Sequence, residues 1–329
     1  MTSTSLKSRL PGGFAEAVSP SGRIRGAAIL APFLILFVVL CLTSPSFSSR
    51  ANLLNILDQQ SATLIIAAAG TLVLIAGGID LSVGAVYGFS AVVSAHFALH
   101  TTTGLAIFLG IGAGLLIGLV NGVIVSVFRI NSLIATLAMS FIVSGCSSLV
   151  TKGNLLVLFT KNNFGDIART DFLTVKTSIW LMILVVIAFG ILLSTTTAGR
   201  YMYASGGNAQ AARLAGVRVD AIRVLTFALS GTAAGLAGVI DTSRVLSAQA
   251  SPDDTTLAFT VLAGIVVGGT SIMGGEGAVW RTVVGVLFIA LIGNGYLLLQ
   301  FDPLYEQITM GALLLAAVGL DSLSRRRGR

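Results

Sequence analysis

The sequence predicts an all-α polytopic membrane protein with about ten transmembrane helices. Of its 329 residues, 55% are hydrophobic and only 10% are charged, and its mean hydropathy is +0.94. A soluble domain carries about 25% charged residues, so most of the surface of this chain must face lipid. The apolar residues also fall in long runs separated by short polar or glycine-rich segments, as in a multi-pass protein.

The predicted spans are apolar runs that approach the roughly 20 residues needed to cross the hydrocarbon core of a membrane. Arg23 and Arg25 precede the first run, as in a signal peptide, but no small-x-small cleavage site follows it and many further runs do. We therefore interpret the first run as a retained transmembrane helix. The runs are residues 27–43, 62–77, 81–99, 104–127, 133–150, 173–193, 224–240, 256–267, 278–299 and 304–320.

The lysine and arginine residues orient the chain. They lie in loops and form no stripe with interleaved aromatic residues, so the net charge of +7 indicates membrane orientation rather than nucleic-acid binding. If both termini are cytosolic, fourteen of the 20 basic residues lie on the cytosolic side, as the positive-inside rule requires. The six left outside are Arg50, Lys152, Lys161, Arg169, Lys176 and Arg244.

This orientation divides the chain into three parts. We expect a cytosolic tail over residues 1–26, a single membrane domain over residues 27–320, and a basic cytosolic tail over residues 321–329. The membrane domain includes a cytosolic loop at residues 194–222, which is the longest polar interruption on that side.

Residues 204–219 of this loop read A-S-G-G-N-A-Q-A-A-R-L-A-G-V-R-V, which predicts a short polar helix. Asn208 suits the N-cap position, and Gly216 falls where a left-handed residue would end the helix. The helix has only about two turns and is too short to be stable alone in water. We therefore expect a partner to hold it, and an ordinary capped loop helix is the alternative.

Glycines recur every four residues along the fourth run, and two more are spaced in the same way in the seventh run. This spacing places them on one helix face, where the backbone of another helix can approach closely. They are predicted to pack helices rather than to bind a ligand. These residues are Gly110, Gly114, Gly118, Gly122, Gly231 and Gly235.

Two glycine-rich breaks interrupt the apolar pattern, A-G-G-I-D-L-S-V-G at residues 76–84 and V-G-G-T-S-I-M-G-G-E-G-A at residues 267–278. Both lie near the cytosolic boundary or dip into the bundle. Glycine lets the backbone turn sharply or unwind, which frees amides and carbonyls to line a cavity. The residues predicted to line a translocation path or to cap a helix are Gly77, Gly78, Asp80, Ser82, Gly268, Gly269 and Ser271.

Asp80 is the most informative residue of the first break, because no cation lies within several residues of it. An acid at membrane depth is costly and is a functional-site hypothesis by default. Three interpretations are open. Asp80 caps the third helix by accepting hydrogen bonds from the amides of Ser82 and Val83, it lines the transport path, or it couples transport to an ion gradient.

Catalytic motifs are absent from the sequence. There is no G-x-x-x-x-G-K-[ST] phosphate loop, no H-E-x-x-H, no G-x-S-x-G and no CxxC, and the two cysteines, Cys41 and Cys146, have no metal-ligand spacing. We therefore expect neither an enzyme nor a bound metal, and ATP cannot be bound in the P-loop manner.

Four segments, in order, resemble permease subunits of ribose-, xylose-, arabinose- and galactofuranose-type ATP-binding-cassette importers. They are G-G-I-D-L-S-V-G at residues 77–84, G-R-Y-M-Y-A-S-G-G-N-A-Q-A-A-R-L-A-G-V at residues 199–217, L-S-G-T-A-A-G-L-A-G-V-I at residues 229–240, and V-V-G-G-T-S-I-M-G-G-E-G at residues 266–277. The similarity extends over nearly all of residues 52–320.

The resemblance implies the type II importer permease fold in the bacterial inner (cytoplasmic) membrane, with a second permease, identical or related, around a central path. It also implies cytosolic ATPase subunits that bind ATP and Mg²⁺, so that this chain holds no cofactor, and a periplasmic or extracellular sugar-binding protein. The polar helix would be the coupling helix that docks on the ATPase. Its contact residues would be Gly207, Asn208, Ala211, Arg213 and Gly216.

One position departs from the family pattern. Ribose-type permeases often carry glycine or serine after L-S-V-G, where this chain has Ala85, Val86 and Tyr87. Tyr87 could face the translocation path and stack on a sugar, or it could pack against lipid.

The expected function is the membrane-spanning subunit of an ATP-driven importer of a pentose or hexose. The alternative is a permease for branched-chain amino acids or nucleosides, although those relatives generally lack G-G-I-D-L-S-V-G. An ion-coupled secondary transporter would need several charged residues inside spans, and Asp80 is the only candidate. Glycine-interrupted spans disfavour a scaffold that transports nothing.

Overall fold

The structure, a computed structural model, describes residues 20–158, 162–250 and 254–302, together with residues 304, 305, 308–313, 315, 316 and 319. Most of the predicted tails at residues 1–26 and 321–329, Lys161, and parts of the tenth run lie outside the described residues. Nearly all regular structure in the described part is helical. The helices are α1 Pro20–Thr43, α2 Arg50–Gln59, α3 Ser61–Ile75, α4 Val83–His100, α5 Thr103–Ser126, α6 Ser132–Thr151, α7 Asn162–Arg169, α8 Thr177–Thr195, α9 Thr197–Gly207, α10 Ala209–Leu214, α11 Val219–Val245, α12 Asp254–Val267 and α13 Val279–Leu298.

The prediction of a multi-pass all-α protein is confirmed. Six described helices, α4, α5, α6, α8, α11 and α13, are long and apolar enough to cross a membrane. The pair α2 and α3 meets the same test across a 50° bend, and the apolar parts of α1 and α12 are shorter, Ile29–Thr43 and Thr255–Val267. A total of about ten spans remains a prediction.

Two helices have bounds that differ from those of the predicted spans. The sixth span does not begin at Leu173, because Leu173 and Thr174 have positive φ values of 53° and 61° in a tight hairpin turn, and the helix begins at Thr177. The seventh span was expected over residues 224–240, whereas α11 runs over Val219–Val245. Charged residues at both ends of α11 are therefore helical.

Two short antiparallel strand pairs accompany the helices in the described residues. β1 (Leu156–Val157) pairs with β4 (Ser247–Ala248), and β2 (Asp171–Phe172) pairs with β3 (Val175–Lys176). The first pair joins the loop after α6 to the loop after α11, at the end of the bundle opposite α10.

The two predicted glycine faces lie against each other, at the contact between α5 and α11. A Cβ added to Gly114 would lie 2.3 Å from the carbonyl oxygen of Gly231, and one added to Gly231 would lie 2.2 Å from that of Gly114. A Cβ on Gly118 would lie 2.4 Å from the carbonyl oxygen of Phe227. Gly235 faces Ile111 in the same way. Only glycine allows this backbone contact, since any side chain would separate the helices.

α11 is the central helix of the bundle. Its residues Ala233, Ala234 and Ala237 are at most 2% exposed and pack in one apolar cluster with α3 and α4. The outer faces of other helices carry large exposed apolar side chains, such as Phe108 on α5 and Phe141 on α6. This distribution, with apolar groups inside and outside, is that of a protein whose solvent is lipid.

Candidate functional site

The predicted polar helix forms, as α10, with the predicted caps. The side-chain oxygen of Asn208 accepts hydrogen bonds from the amides of Gln210 (3.1 Å) and Ala211 (3.0 Å). Gly216 has a φ of +85°, in the left-handed region where glycine ends a helix. The helix itself extends over Ala209–Leu214.

The sequence reasoning missed the helix that precedes it. α9 begins after Thr196, whose hydroxyl oxygen accepts a hydrogen bond from the Gly199 amide at 3.1 Å. Gly199, Met202 and Ser205 are buried, so one face of α9 is fixed against the bundle. A threonine N-cap was the available sequence signal. Residues 204–207, which precede the predicted N-cap Asn208, belong to α9.

The end of α9 meets both glycine-rich breaks at one place. A Cβ on Gly206 would lie 1.8 Å from the carbonyl oxygen of Ile75, and one on Gly274 would lie 2.9 Å from the Cα of Gly77. The Gly275 amide donates to the Ile75 carbonyl at 2.9 Å. We name Gly77, Gly206, Gly274 and Gly275 the glycine junction. It brings together three backbone segments from distant parts of the chain.

A side chain reinforces this junction. The hydroxyl of Tyr203 on α9 donates to the carbonyl oxygen of Gly277 at 2.7 Å. α9 is therefore bonded to the second break as well as packed on the first. Any displacement of α9 must act on both breaks.

The residues predicted as the ATPase contact group are all exposed to solvent. Ala212, on the other face of α10, is buried. Leu214 was not selected from the sequence, although its side chain is 92% exposed beside them. It belongs to the same exposed surface, which we name the α10 surface. The α10 surface comprises Gly207, Asn208, Ala211, Arg213, Leu214 and Gly216.

Arg213 also has a partner within the chain. Its guanidinium forms an ion pair of 2.6 Å with Asp220 in the first turn of α11, and both side chains are about half exposed. Exposed pairs of this kind contribute little to stability. The pair orients Arg213 and leaves part of its side chain exposed to solvent.

The first break contains a non-helical segment, residues 77–82, that lies beside α6 and α11. Its backbone would lack hydrogen bonds at membrane depth without side-chain partners. The hydroxyl of Ser132 accepts from the Ile79 amide at 3.1 Å, and the hydroxyl of Thr136 accepts from the Leu81 amide at 3.0 Å. Two α6 hydroxyls thus hold non-helical backbone inside the bundle.

Asp80 connects this segment to α11. Its carboxylate accepts hydrogen bonds from the Ser82 amide (3.0 Å), the Ser82 hydroxyl (2.6 Å) and the Ser230 hydroxyl (2.8 Å). Asn121 on α5 in turn donates to the Ser82 hydroxyl at 2.8 Å. Among the described residues the expected bond from the Val83 amide is not formed, because α4 begins only after Ser82. Asp80 therefore links the first break to α11 and does not act only as a cap of α4.

The predicted residues of the second break do not lie with Asp80. A Cβ on Gly268 would lie 2.5 Å from the Arg281 carbonyl oxygen, so Gly268 packs against α13. Gly269 has a φ of +81°, and the Ser271 amide donates to the carbonyl oxygen of Glu276 at 3.0 Å. This break is a closed turn. It contributes Gly274 and Gly275 to the glycine junction.

In the first break, Gly77 is exposed and has a φ of +81°, whereas Gly78 is buried. A Cβ on Gly78 would lie 3.2 Å from the ring of Phe227. The first glycine makes the turn and the second allows α11 to pack against it.

Tyr87 lies inside the bundle. Its ring packs against the main apolar cluster, and its hydroxyl donates to a carboxylate oxygen of Asp241 on α11 at 2.6 Å. Packing of the half-buried ring against lipid stays a prediction. Stacking on a sugar stays a prediction.

A polar network that the sequence reasoning missed continues from Asp241. Asp241 forms an ion pair with Arg244, and Arg244 donates to the backbone carbonyl of Asp58 on α2 at 3.2 Å. Buried Asp58 pairs with Lys176 at 2.6 Å and accepts from the Ser178 hydroxyl. Asp80 is therefore not the only acid within the helices. The i, i+3 spacing of Asp241 and Arg244 directly after an apolar run was the available signal.

Comparison with known proteins identifies the family. A family model described as "Branched-chain amino acid transport system / permease component" matches residues 52–318. The ribose import permease protein RbsC of Escherichia coli K12 is 36% identical over 297 residues, which is 89% of this chain and 92% of that protein. The Bacillus subtilis RbsC is 37% identical with the same coverage.

A relative named for a different pentose covers almost the whole chain. The L-arabinose ABC transporter permease protein AraH of Azospirillum brasilense is 36% identical over 327 residues, 98% of this chain and 93% of that protein. No solved structure gives a significant match. The family model and these relatives together show that the chain is a multi-pass membrane protein belonging to the transport-system permease family.

Proposed function

We propose that this chain is the membrane-spanning subunit of an ATP-binding-cassette importer that carries a monosaccharide across the bacterial inner membrane. Relatives named as ribose and L-arabinose permeases match at least 88% of the chain. The description of the family model names branched-chain amino acids instead, and a permease for such amino acids is the alternative.

The observation that carries the proposal is the attachment of α10 to the glycine junction. A short helix with an exposed surface leads directly into a backbone contact with both broken segments of the membrane domain. A partner that pushes on the α10 surface would move α9 as a rigid lever and displace both breaks. Such a lever can switch a bundle between outward- and inward-facing states.

The partners follow from this mechanism. Cytosolic ATPase subunits bind ATP and Mg²⁺ and dock on the α10 surface, a binding protein delivers the sugar on the other side, and a second permease completes the path. Both termini are then cytosolic. The support for this assembly is the family membership and the resemblance of residues 199–217 to coupling loops.

Arg213→Glu tests the docking. We expect uptake of radiolabelled ribose and L-arabinose by cells to fall at least tenfold, and the P-loop ATPase that copurifies with the wild type in mild detergent to be lost. The reason is that a reversed charge on the α10 surface repels the groove that receives it. Membrane abundance should be unchanged.

The double variant Arg213→Glu/Asp220→Arg is the matched control, because it keeps the ion pair within the chain but reverses the charge shown to a partner. Recovery of uptake in the double variant would mean that Arg213 acts only through Asp220. Uptake by the chain alone in ATP-free vesicles would overturn the importer assignment and favour ion coupling.

A further inference from the structure

A cavity of about 680 Å³ opens between α2, α12 and α13, at the end of the bundle opposite α10. Asn52, Asn55 and Gln59 repeat at i, i+3 and i+7, so they lie on one face of α2. Gln60 at the bend and Asn294 on α13 complete a lining with primary amides. We name this space the amide cavity.

Two of these amides are bonded to each other. The side chain of Asn52 donates to Asn294 and accepts from it, both at 3.1 Å. This reciprocal pair fixes α2 against α13 and closes one wall of the cavity. In contrast, the side chains of Asn55 and Gln59 are exposed and have no hydrogen bond to another described residue. Their donors and acceptors are available to a ligand.

A neighbouring face of α2 is anchored by charge. Asp58 is buried and pairs with Lys176 and the Ser178 hydroxyl. The helix is therefore held in place by Asp58, while the free amides of Asn55 and Gln59 project from another face. A rigid support with unpaired polar groups is the arrangement of a binding site.

The chemistry of the lining selects a neutral ligand. Among the described lining residues none is ionisable or aromatic, and the amides are joined by Thr256 and Thr260 and by an apolar wall that includes Ile56 and Val286. A carboxylate or ammonium group would find no counter-charge here, and its desolvation would be unfavourable. An amide offers two donors and an acceptor, which match the hydroxyl groups of a polyol.

We propose that the amide cavity is the transit site of the monosaccharide, in which Asn55 and Gln59 hydrogen-bond the hydroxyl groups of the sugar. This inference rests on the proposed function and adds the residues that contact the substrate. Two free amides and an apolar wall give weak binding, which suits a site that must release its ligand. The same lining disfavours the zwitterionic head of an amino acid.

The test measures initial uptake of radiolabelled ribose, L-arabinose and leucine in cells that carry Asn55→Leu, Gln59→Leu or both in place of the wild type. A hydrogen bond contributes about 1 kcal/mol, which is about fivefold. We expect each single variant to lower sugar uptake about fivefold and the double variant about 25-fold. Asn55→Gln keeps an amide and should retain more uptake than Asn55→Leu, with an altered ratio of ribose to arabinose.

Asn154→Leu is the matched control, since Asn154 is exposed in a loop and does not line the cavity. Abundance and ATPase copurification are measured for every variant, so that loss of folding is separated from loss of transport. Undiminished sugar uptake by the double variant would overturn the transit site and leave the importer assignment intact. If the wild-type protein takes up leucine but neither ribose nor L-arabinose, both the transit site and the assignment as a sugar importer are overturned.

Discussion

At the scale of single residues, Gly206 and Gly207 are neighbours with opposite surroundings. A Cβ on Gly206 would lie 1.8 Å from the Ile75 carbonyl oxygen, whereas one on Gly207 would meet nothing within 4 Å. We expect Gly206→Ala to lower the stability by about 1–3 kcal/mol or to prevent accumulation in the membrane, because backbone must move apart. Gly207→Ala should be neutral. Thermal unfolding of the purified protein in detergent measures both variants.

Because Gly207 is exposed, a large side chain at this position can test docking without disturbing the fold. Gly207→Phe should fold as the wild type does, because the space beside it is open, but should lose ATPase copurification and transport. Wild-type uptake with Phe at this position would remove Gly207 from the docking surface. Equal stability of the two alanine variants would contradict the glycine junction.

Asp80 is expected to act through stability more than through substrate affinity. Asp80→Asn leaves one acceptor oxygen where the carboxylate accepts three hydrogen bonds, two from Ser82 and one from Ser230. Hydrogen bonds to a charged group contribute about 1.5–3 kcal/mol each, so membrane abundance and Tm should fall. The sugar concentration for half-maximal uptake should not change. A well-expressed variant with a shifted half-maximal concentration would instead place Asp80 on the translocation path.

Local interactions were predictable from the sequence, and interactions between distant residues were not. The cap at Asn208 and the left-handed Gly216 depend on neighbours within a few residues, and both were found where expected. Tyr87 and Asp241 are separated by 154 residues, and nothing in the order of residues pairs them. The exposure of Leu214 likewise depends on which face of α10 the bundle covers.

At the scale of elements, the contact between α5 and α11 depends on glycine at the interface and not along the whole of α5. Gly114→Leu should lower stability by more than about 3 kcal/mol, since its side chain would separate the two backbones. Gly112→Leu on the same helix is the matched control, because a Cβ there meets nothing within 4 Å. We expect it to be neutral in thermal unfolding. Leucine has a higher helix propensity than glycine, so equal destabilisation by the two variants would show that the contact between α5 and α11 is not its cause.

The helices beside the glycine-rich breaks show why hydropathy alone does not give the residues at which a helix begins and ends. Hydropathy placed the start of the third span at Leu81, but the helix begins only at Val83, because α6 supplies Ser132 and Thr136 as partners for the non-helical backbone before it. Those partners lie more than 50 residues away. The glycines of each break were visible in the sequence, whereas their meeting with Gly206 required the fold.

At the scale of the whole molecule, α11 connects the sites described above. Its first turn pairs with Arg213, its middle bonds Asp80 through Ser230, and its last turns carry Asp241 and Arg244. Arg244 reaches the Asp58 carbonyl on α2, the helix that lines the amide cavity. A shift of α10 can therefore be transmitted through one helix to the proposed transit site.

This connection predicts that transport can be lost without loss of docking. Arg244→Gln removes the ion pair with Asp241 and weakens the contact with α2, so the far end of α11 should no longer move α2. We expect sugar uptake to fall at least tenfold, while ATPase copurification stays at the wild-type level because the α10 surface is unchanged. Arg169→Gln, at an exposed arginine near the same end of the bundle, is the control and should transport normally. Normal uptake by Arg244→Gln would show that α11 does not transmit the movement through this network, and loss of ATPase copurification would show that the two ends are not separable.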